Sequence, residues 1–320
     1  MPCGSKNAFL APFPPGSPEG TRGKGVYVDQ MVKPFDRRGC ATAPFKRIMI
    51  RLSCFSDEIA PALEDQIRVI RELGMRYLEV RTVENNNVLS LEDSMLYAIK
   101  NACDENGLAI TCVSSAIGKE RADCPMPELL DRLRKACRIA DIFCCRYIRV
   151  FSFFKRDIPK ENAFSMSLER LRAMAGIAMD QHKILVMESG KDTLGARSAD
   201  ALRLFQAIGS PALRCAFDMA AFMAAGDDPY EQSLPALMSY IGYVHVKDMH
   251  RGSSSRVPAG EGDTRVKDIV NALKEKPLVF SLEPHLAYAG EKGGFSGEEN
   301  FKKAHAAFIG ILQELGIDYE

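Results

Sequence analysis

Residues 184–188 read Ile-Leu-Val-Met-Glu, a continuous apolar run that ends on a carboxylate. A run this short, without polar alternation, is the mark of a strand buried on both faces. Seven further runs of the kind occur, at 49–54, 75–80, 108–113 and 147–151 before it and at 213–217, 243–246 and 278–282 after it. Each is followed by a segment with apolar residues at helical spacing, such as Ile67, Ile70 and Leu73, or Leu168, Leu171 and Met174. Buried strands alternating with amphipathic helices predict a parallel sheet covered on both faces or closed on itself. Eight repeats within the 272 residues from 49 to 320 favour closure. The expected fold is α/β, a (β/α)8 TIM barrel, which typically uses roughly 250 residues.

Helix punctuation agrees with this division. Gly74 and Gly107 stand where helices hand over to strands, the usual place for a left-handed C-terminal residue. Pro61, Pro127 and Pro229 fall at expected helix beginnings, where a missing N–H costs nothing. No composition break divides residues 49–320, which read as a single TIM-barrel domain. Residues 1–48 differ: they hold seven of the seventeen prolines and six glycines with almost no apolar periodicity. Such a stretch cannot bury enough surface to offset the entropy of ordering, and it reads as a flexible, disordered N-terminal tail. Met49 opens the first strand and is a candidate functional start; a mass spectrum of natively expressed protein with the tail intact removes that reading.

Composition excludes several classes of function. Lysine plus arginine number 42 and aspartate plus glutamate 42, so the overall field is not the basic one that gathers phosphate backbones, and no nucleic-acid partner is expected. No run is long enough to span a bilayer and no signal peptide is recognisable, which points to a cytoplasmic protein without a membrane partner. The ten cysteines lie scattered in apolar segments without a C-x-x-C pair and read as reduced, buried thiols. Neither G-x-G-x-x-G nor G-x-x-x-x-G-K-[ST] occurs, so no nucleotide cofactor is expected.

In such a barrel the active site lies at the C-terminal ends of the strands, so a polar residue ending an apolar run carries the interest. The fifth run ends at Glu188 and the sixth at Asp218; the seventh contains His245, followed by Lys247 and Asp248, and the eighth ends at Glu283, followed by Pro284 and His285. Taken singly, a terminal acid is most often a helix cap or a solvated charge, His245 a bonded core histidine, and Lys247–Asp248 a loop ion pair. On four consecutive strands, three carboxylates and an imidazole at one buried rim would repel one another and lose solvation unless a cation joined them. Oxygen donors with one imidazole suit one divalent metal ion, Mn2+ or Mg2+ first, with Co2+ and Zn2+ as further candidates. Four protein ligands leave about two octahedral positions for vicinal substrate oxygens.

From Met49 to Leu315 the chain resembles the sugar phosphate isomerase/epimerase group of the xylose-isomerase-like TIM barrels. The resemblance rests on Ser56-Asp57-Glu58-Ile59, Ser114-Ser115-Ala116-Ile117-Gly118-Lys119 and Ile148-Arg149-Val150-Phe151-Ser152. It continues through His245-Val246-Lys247-Asp248, Gly260-Glu261-Gly262-Asp263 and Ser281-Leu282-Glu283-Pro284-His285. The resemblance implies the same four metal ligands, Glu188, Asp218, His245 and Glu283. It also implies that Glu188 and Glu283 are the catalytic acid and base on opposite faces of the sugar. They would exchange a proton next to a carbonyl while the metal holds the enediolate. Lys247 and Arg251 would bind substrate oxygens or a phosphate, and His285, at the same rim, would orient Glu283. A homodimer is implied by the resemblance alone.

Two positions depart from the group's pattern: Ser189 replaces an asparagine frequent after the fifth-strand glutamate, and Ala221 replaces an asparagine or histidine frequent three residues beyond Asp218. The loss at Ala221 removes a substrate hydroxyl contact and leaves the metal ligands intact. The expected function is therefore a divalent-metal-dependent sugar or sugar phosphate isomerase/epimerase. A metal-dependent lyase or dehydratase on a keto-sugar, keto-inositol or 3-keto-glycoside is the runner-up, and a non-catalytic carbohydrate-binding barrel the second alternative. Phosphodiester cleavage at a cluster of metals, as in the related AP endonucleases, ranks low because the chain has only five histidines.

Overall fold

A computed structural model describes residues 49–287 and 296–320, so the tail expected over 1–48 lies outside the described residues. The eight apolar runs form the barrel strands β1 (Arg51–Cys54), β2 (Tyr77–Val80), β5 (Ala109–Val113), β6 (Tyr147–Val150), β7 (Ile184–Glu188), β8 (Leu213–Asp218), β9 (Ile241–Val246) and β12 (Val279–Leu282). Between and after them run the helices α1 (Leu63–Glu72), α2 (Asp93–Glu105), α3 (Met126–Ile142), α4 (Lys160–Asp180), α5 (Ser198–Ile208), α6 (Met219–Ala224), α7 (Leu234–Leu237), α8 (Val266–Leu273) and α9 (Glu298–Glu314). Two small antiparallel hairpins, β3 (Thr82–Val83) with β4 (Asn86–Asn87) and β10 (Asp248–Met249) with β11 (Arg256–Val257), follow β2 and β9 at the C-terminal rim. Their two-residue strands are too short to leave an apolar pattern.

The sheet runs β1-β12-β9-β8-β7-β6-β5-β2 with parallel neighbours throughout. Its two ends meet where Phe55, just past β1, bridges in parallel to Glu79 of β2, which brings the row to a nearly closed barrel. The helices seal the outside with apolar stripes such as Val69 and Ile70 of α1, Leu129 and Leu133 of α3, and Leu171 and Met174 of α4. Inside, Cys112, Val186, Ala216, Tyr243 and Val279 form a separate cluster against Tyr147 and Ile184. Because side chains alternate along a strand, those residues reveal which parity points inward. Two positions further on from Val186, Ala216 and Tyr243, toward the C-terminal rim, are Glu188, Asp218 and His245, and Glu283 lies four beyond Val279.

Gly74 and Gly107 take positive φ, +69° and +68°, after α1 and α2. Pro127 sits in the first turn of α3, whereas Pro61 lies just ahead of the N-cap of α1 and Pro229 opens a short π-helical turn. The eight described cysteines are free, seven of them at least partly buried and Cys144 exposed. Among the described residues no helix is long and apolar enough to cross a membrane.

Gly118, after β5, combines φ +90° with a carbonyl oxygen of Phe151 only 2.1 Å from where a Cβ would stand. At Gly74 nothing lies within 4 Å, so alanine there meets only the left-handed penalty of about 1–2 kcal/mol. Chemical denaturation is therefore expected to rank Gly118→Ala below Gly74→Ala in stability; equal losses would show that the 115–119 loop yields freely.

Candidate metal centre

The inward parity of four adjacent strands brings Glu188, Asp218, His245 and Glu283 together. All four are buried, and one ligand atom from each lies within 4.8 Å of those of the others. His245 Nδ1 stands 3.5 Å from Glu188 Oε2 and 3.7 Å from Glu283 Oε2. Neither of its ring nitrogens has a hydrogen-bond partner although both are buried, a costly arrangement unless something else satisfies them. Asp218 plays two parts: Oδ1 accepts from the Ala221 N–H and caps α6, while Oδ2 accepts from Lys247 Nζ. The cap and the cluster are thus two ends of one side chain.

Three cations thread this group of acids. Lys247, only 8% exposed, places Nζ 2.8 Å from Asp218 Oδ2, 2.6 Å from Glu283 Oε2 and 3.7 Å from Glu188 Oε1. Arg149 donates to Glu188 Oε2 at 3.0 Å and is fixed by the carbonyls of Ser114 and Ser115. Arg81 donates to Glu283 Oε1, Asp57 Oδ2 and Glu58 Oε1 at 2.7, 2.7 and 3.1 Å. Five connected carboxylates against three cations leave a formal charge of −2 when all are ionised, which one divalent ion would cancel.

The electrostatics follow from burial opposed by these contacts. Burial pushes Glu188 up, but Arg149, His245 and Lys247 outweigh it and hold the carboxyl well below its ordinary range. Burial likewise opposes Lys247 at Glu283, and the outcome is a fall to about 2. Glu58 goes the other way, to about 7, because burial and the neighbouring Glu283 and Asp57 outweigh Arg81. His285, displaced downward to about 3 by burial and Lys247, is neutral; its Nε2 lies 3.6 Å from both Glu58 Oε1 and Glu283 Oε1.

Of the residues assigned to substrate, Lys247 and His285 therefore stand at the cluster. Arg251 does not: its side chain is 55% exposed and is held by Asp228 at 3.0 Å, because the β10–β11 hairpin turns the chain outward immediately after Met249. Sequence reasoning passed over Arg81, Arg149, Asp57, Glu58 and the fully buried Glu79 as site residues. A signal existed for Glu79 and Arg149, since each is a charge inside an otherwise apolar strand.

The donor set fits a divalent ion: three carboxylates and an imidazole with orphaned nitrogens, within reach of one another. Glu58, Glu283 and His285 form a second close group, in which the Arg81 guanidinium already occupies one oxygen of each carboxylate.

Comparison with known proteins came out consistently. Residues 67–308 match the sequence profile of the family described as Xylose isomerase-like TIM barrel. The chain is 25% identical over 224 residues, 66% of this chain and 77% of the relative, to L-ribulose-5-phosphate 3-epimerase UlaE of Shigella flexneri. Among solved structures it resembles the probable 3-DHS dehydratase AsbF of Bacillus anthracis, with TM-score 0.65, 17% identity, and 82% of this chain and 98% of that chain covered. It also resembles the IOLI protein with a bound zinc atom, with TM-score 0.68, 16% identity, and 83% of this chain and 99% of that chain covered. At such identity the solved structures speak for the fold alone.

Two outcomes are expected. Mn2+ at a hundred times its Kd raises unfolding free energy by about 2.7 kcal/mol, and Asp218→Asn largely removes that gain in urea titrations. In metal-free protein, Glu188 and Glu283 lie below the ordinary 4.5, so their contribution is present above pH 4.5 and lost as pH falls toward 2. Glu58 is raised, so its contribution is present below 4.5 and lost as pH rises through about 7. Urea midpoints of metal-free protein should therefore peak between pH 4.5 and 7; a midpoint that still climbs from pH 6 to 9 contradicts the charge assignment.

Proposed function

The chain belongs to the xylose isomerase-like TIM barrel family, and on that premise we propose that it is a divalent-metal-dependent isomerase or epimerase of a sugar or sugar phosphate. The observation that carries the reading is the convergence of Glu188, Asp218, His245 and Glu283, all buried and mutually within 4.8 Å, at the C-terminal rim. The similarity to L-ribulose-5-phosphate 3-epimerase UlaE supports the sugar-phosphate class. Asp218 and His245 serve as ligands only, and the two glutamates serve as ligands and as proton carriers.

A divalent ion bound there supplies Lewis-acid polarisation of the substrate carbonyl, which acidifies the neighbouring C–H. The protein's own groups do the rest. Glu188, kept ionised by Arg149, His245 and Lys247 against the effect of burial, is a base at neutral pH. Glu188 on β7 and Glu283 past β12 are separated by β8 and β9, so they reach a bound substrate from two sides. One removes the proton and the other returns it, on the opposite face for an epimerase. Lys247 Nζ offers donors to the oxygen on which negative charge builds, and its raised pKa, from Asp218, Glu283 and Glu188 against burial, keeps it charged. Arg81 holds Glu283 from behind, together with His285, whose Nδ1 lies 3.1 Å from the Glu283 carbonyl.

Glu188→Gln is expected to keep the fold and to lower solvent-deuterium exchange at the carbon next to the carbonyl by at least about 10²-fold. NMR of the products separates the outcomes after proton removal: a new epimer or aldose–ketose pair supports the proposal, and an eliminated product assigns the lyase. Wild-type protein with Mn2+ that exchanges no proton of any ketose, ketose phosphate or keto-glycoside would leave a non-catalytic barrel.

A further inference from the structure

Glu79 is carried by β2 into the barrel interior and has no exposed surface. Nothing assigned so far uses it, and a buried carboxyl group is costly unless its oxygens are partnered. Oε2 accepts a short hydrogen bond from Ser114 Oγ. Oε1 accepts from the Tyr243 hydroxyl at 3.4 Å, and that hydroxyl lies 2.9 Å from the hydroxyl of Thr111. Also facing Oε1, at 3.8 Å, is Nε2 of His245.

Among the described residues, His245 is one of the unpartnered groups of this interior. Both its nitrogens are buried without a hydrogen bond, Nε2 toward Glu79 and Nδ1 toward Glu188 and Glu283. The ring is held edge-on by Phe55 and Tyr243, with centroids 5.1 and 5.6 Å away, so it cannot turn over without moving both. A neutral imidazole carries one N–H and one lone pair, and the acceptor at one nitrogen decides which nitrogen is left to bind an ion.

We propose that Glu79 is a positioning residue for metal binding: its Oε1 receives the Nε2 proton of His245, which leaves the lone pair of Nδ1 for an ion held with Glu188 and Glu283. The inference rests on His245 being a metal ligand. It gives the charge inside β2 a purpose that packing alone does not, since an apolar residue would fill the same interior at less cost.

The test uses full-length protein with 15N-labelled imidazoles, the His245 signals being assigned through His245→Asn, and the variants Glu79→Leu and Glu79→Gln. With Mg2+ bound, the His245 ring should show an Nε2 proton whose 1H shift is moved downfield by the carboxylate of Glu79, and in Glu79→Leu that signal should move upfield. Calorimetric Mn2+ affinity should fall about 10–100-fold in Glu79→Leu, the usual effect of removing such a partner, and by less in Glu79→Gln, which keeps an acceptor. An Nε2 proton signal that stays in place in Glu79→Leu, or an unchanged Mn2+ affinity there, overturns the proposal. Should Glu79→Leu not fold, the Nε2 proton shift and the affinity of Glu79→Gln decide, and values equal to wild type count against it. Wild-type protein that binds neither ion overturns this inference together with the metal reading; absent sugar chemistry alters neither readout.

Discussion

Acidic groups that share a space without water must be neutralised, and the C-terminal end of this barrel is organised around that requirement. Glu283 is the hinge of the arrangement, touched by Lys247 on one oxygen and by Arg81 on the other. Through it the Asp57–Glu58–Arg81 group on the β1–β2 side joins the Glu188–Asp218–Lys247 group on the β7–β9 side. Breaking such a buried network by removing one partner strands the others, so the residues around it act as a unit. With all five carboxylates ionised the set carries a residual charge of −2, which a divalent ion would cancel.

The fold supplies this geometry through strand parity. Residues that fill the barrel floor, Val186, Ala216, Tyr243 and Val279, are followed on the same face by the residues at its mouth. Glu188, Asp218 and His245 are each one pleat beyond a packed core residue, and Glu283 follows two pleats beyond Val279, just past the end of β12. Loops contribute the support: the 114–115 backbone fixes Arg149, and Ser296, ahead of α9, donates to Glu58 Oε2 at 2.7 Å.

The eight strands were legible because each is a continuous apolar run, and the four candidate ligands because they end or punctuate those runs. The cations and Glu79 were harder to see. Arg149 and Glu79 sit inside strands, where a single charge among apolar residues reads as an interruption until the barrel closes and gives it partners from distant strands. Arg81 pairs with Glu283 across more than two hundred residues of chain, and Glu58 lies close to it, an arrangement no local pattern announces. Proximity in sequence also misled: Arg251 follows Lys247 closely, yet the β10–β11 hairpin directs it to Asp228 at the surface.

Lys247 was expected to touch substrate, and the structure surrounds it with three of the candidate ligands. An ammonium and a divalent ion both draw on Asp218, Glu188 and Glu283, so where the ion sits is the central question. Anomalous diffraction at the manganese edge from crystals grown with Mn2+ answers it directly. The account predicts one peak per chain bounded by Glu188, Asp218, Glu283 and Nδ1 of His245, at oxygen and nitrogen distances of about 2.0–2.3 Å. A peak among Glu58, Glu283 and His285 instead, or no peak while Lys247 keeps its three carboxylates, would contradict it.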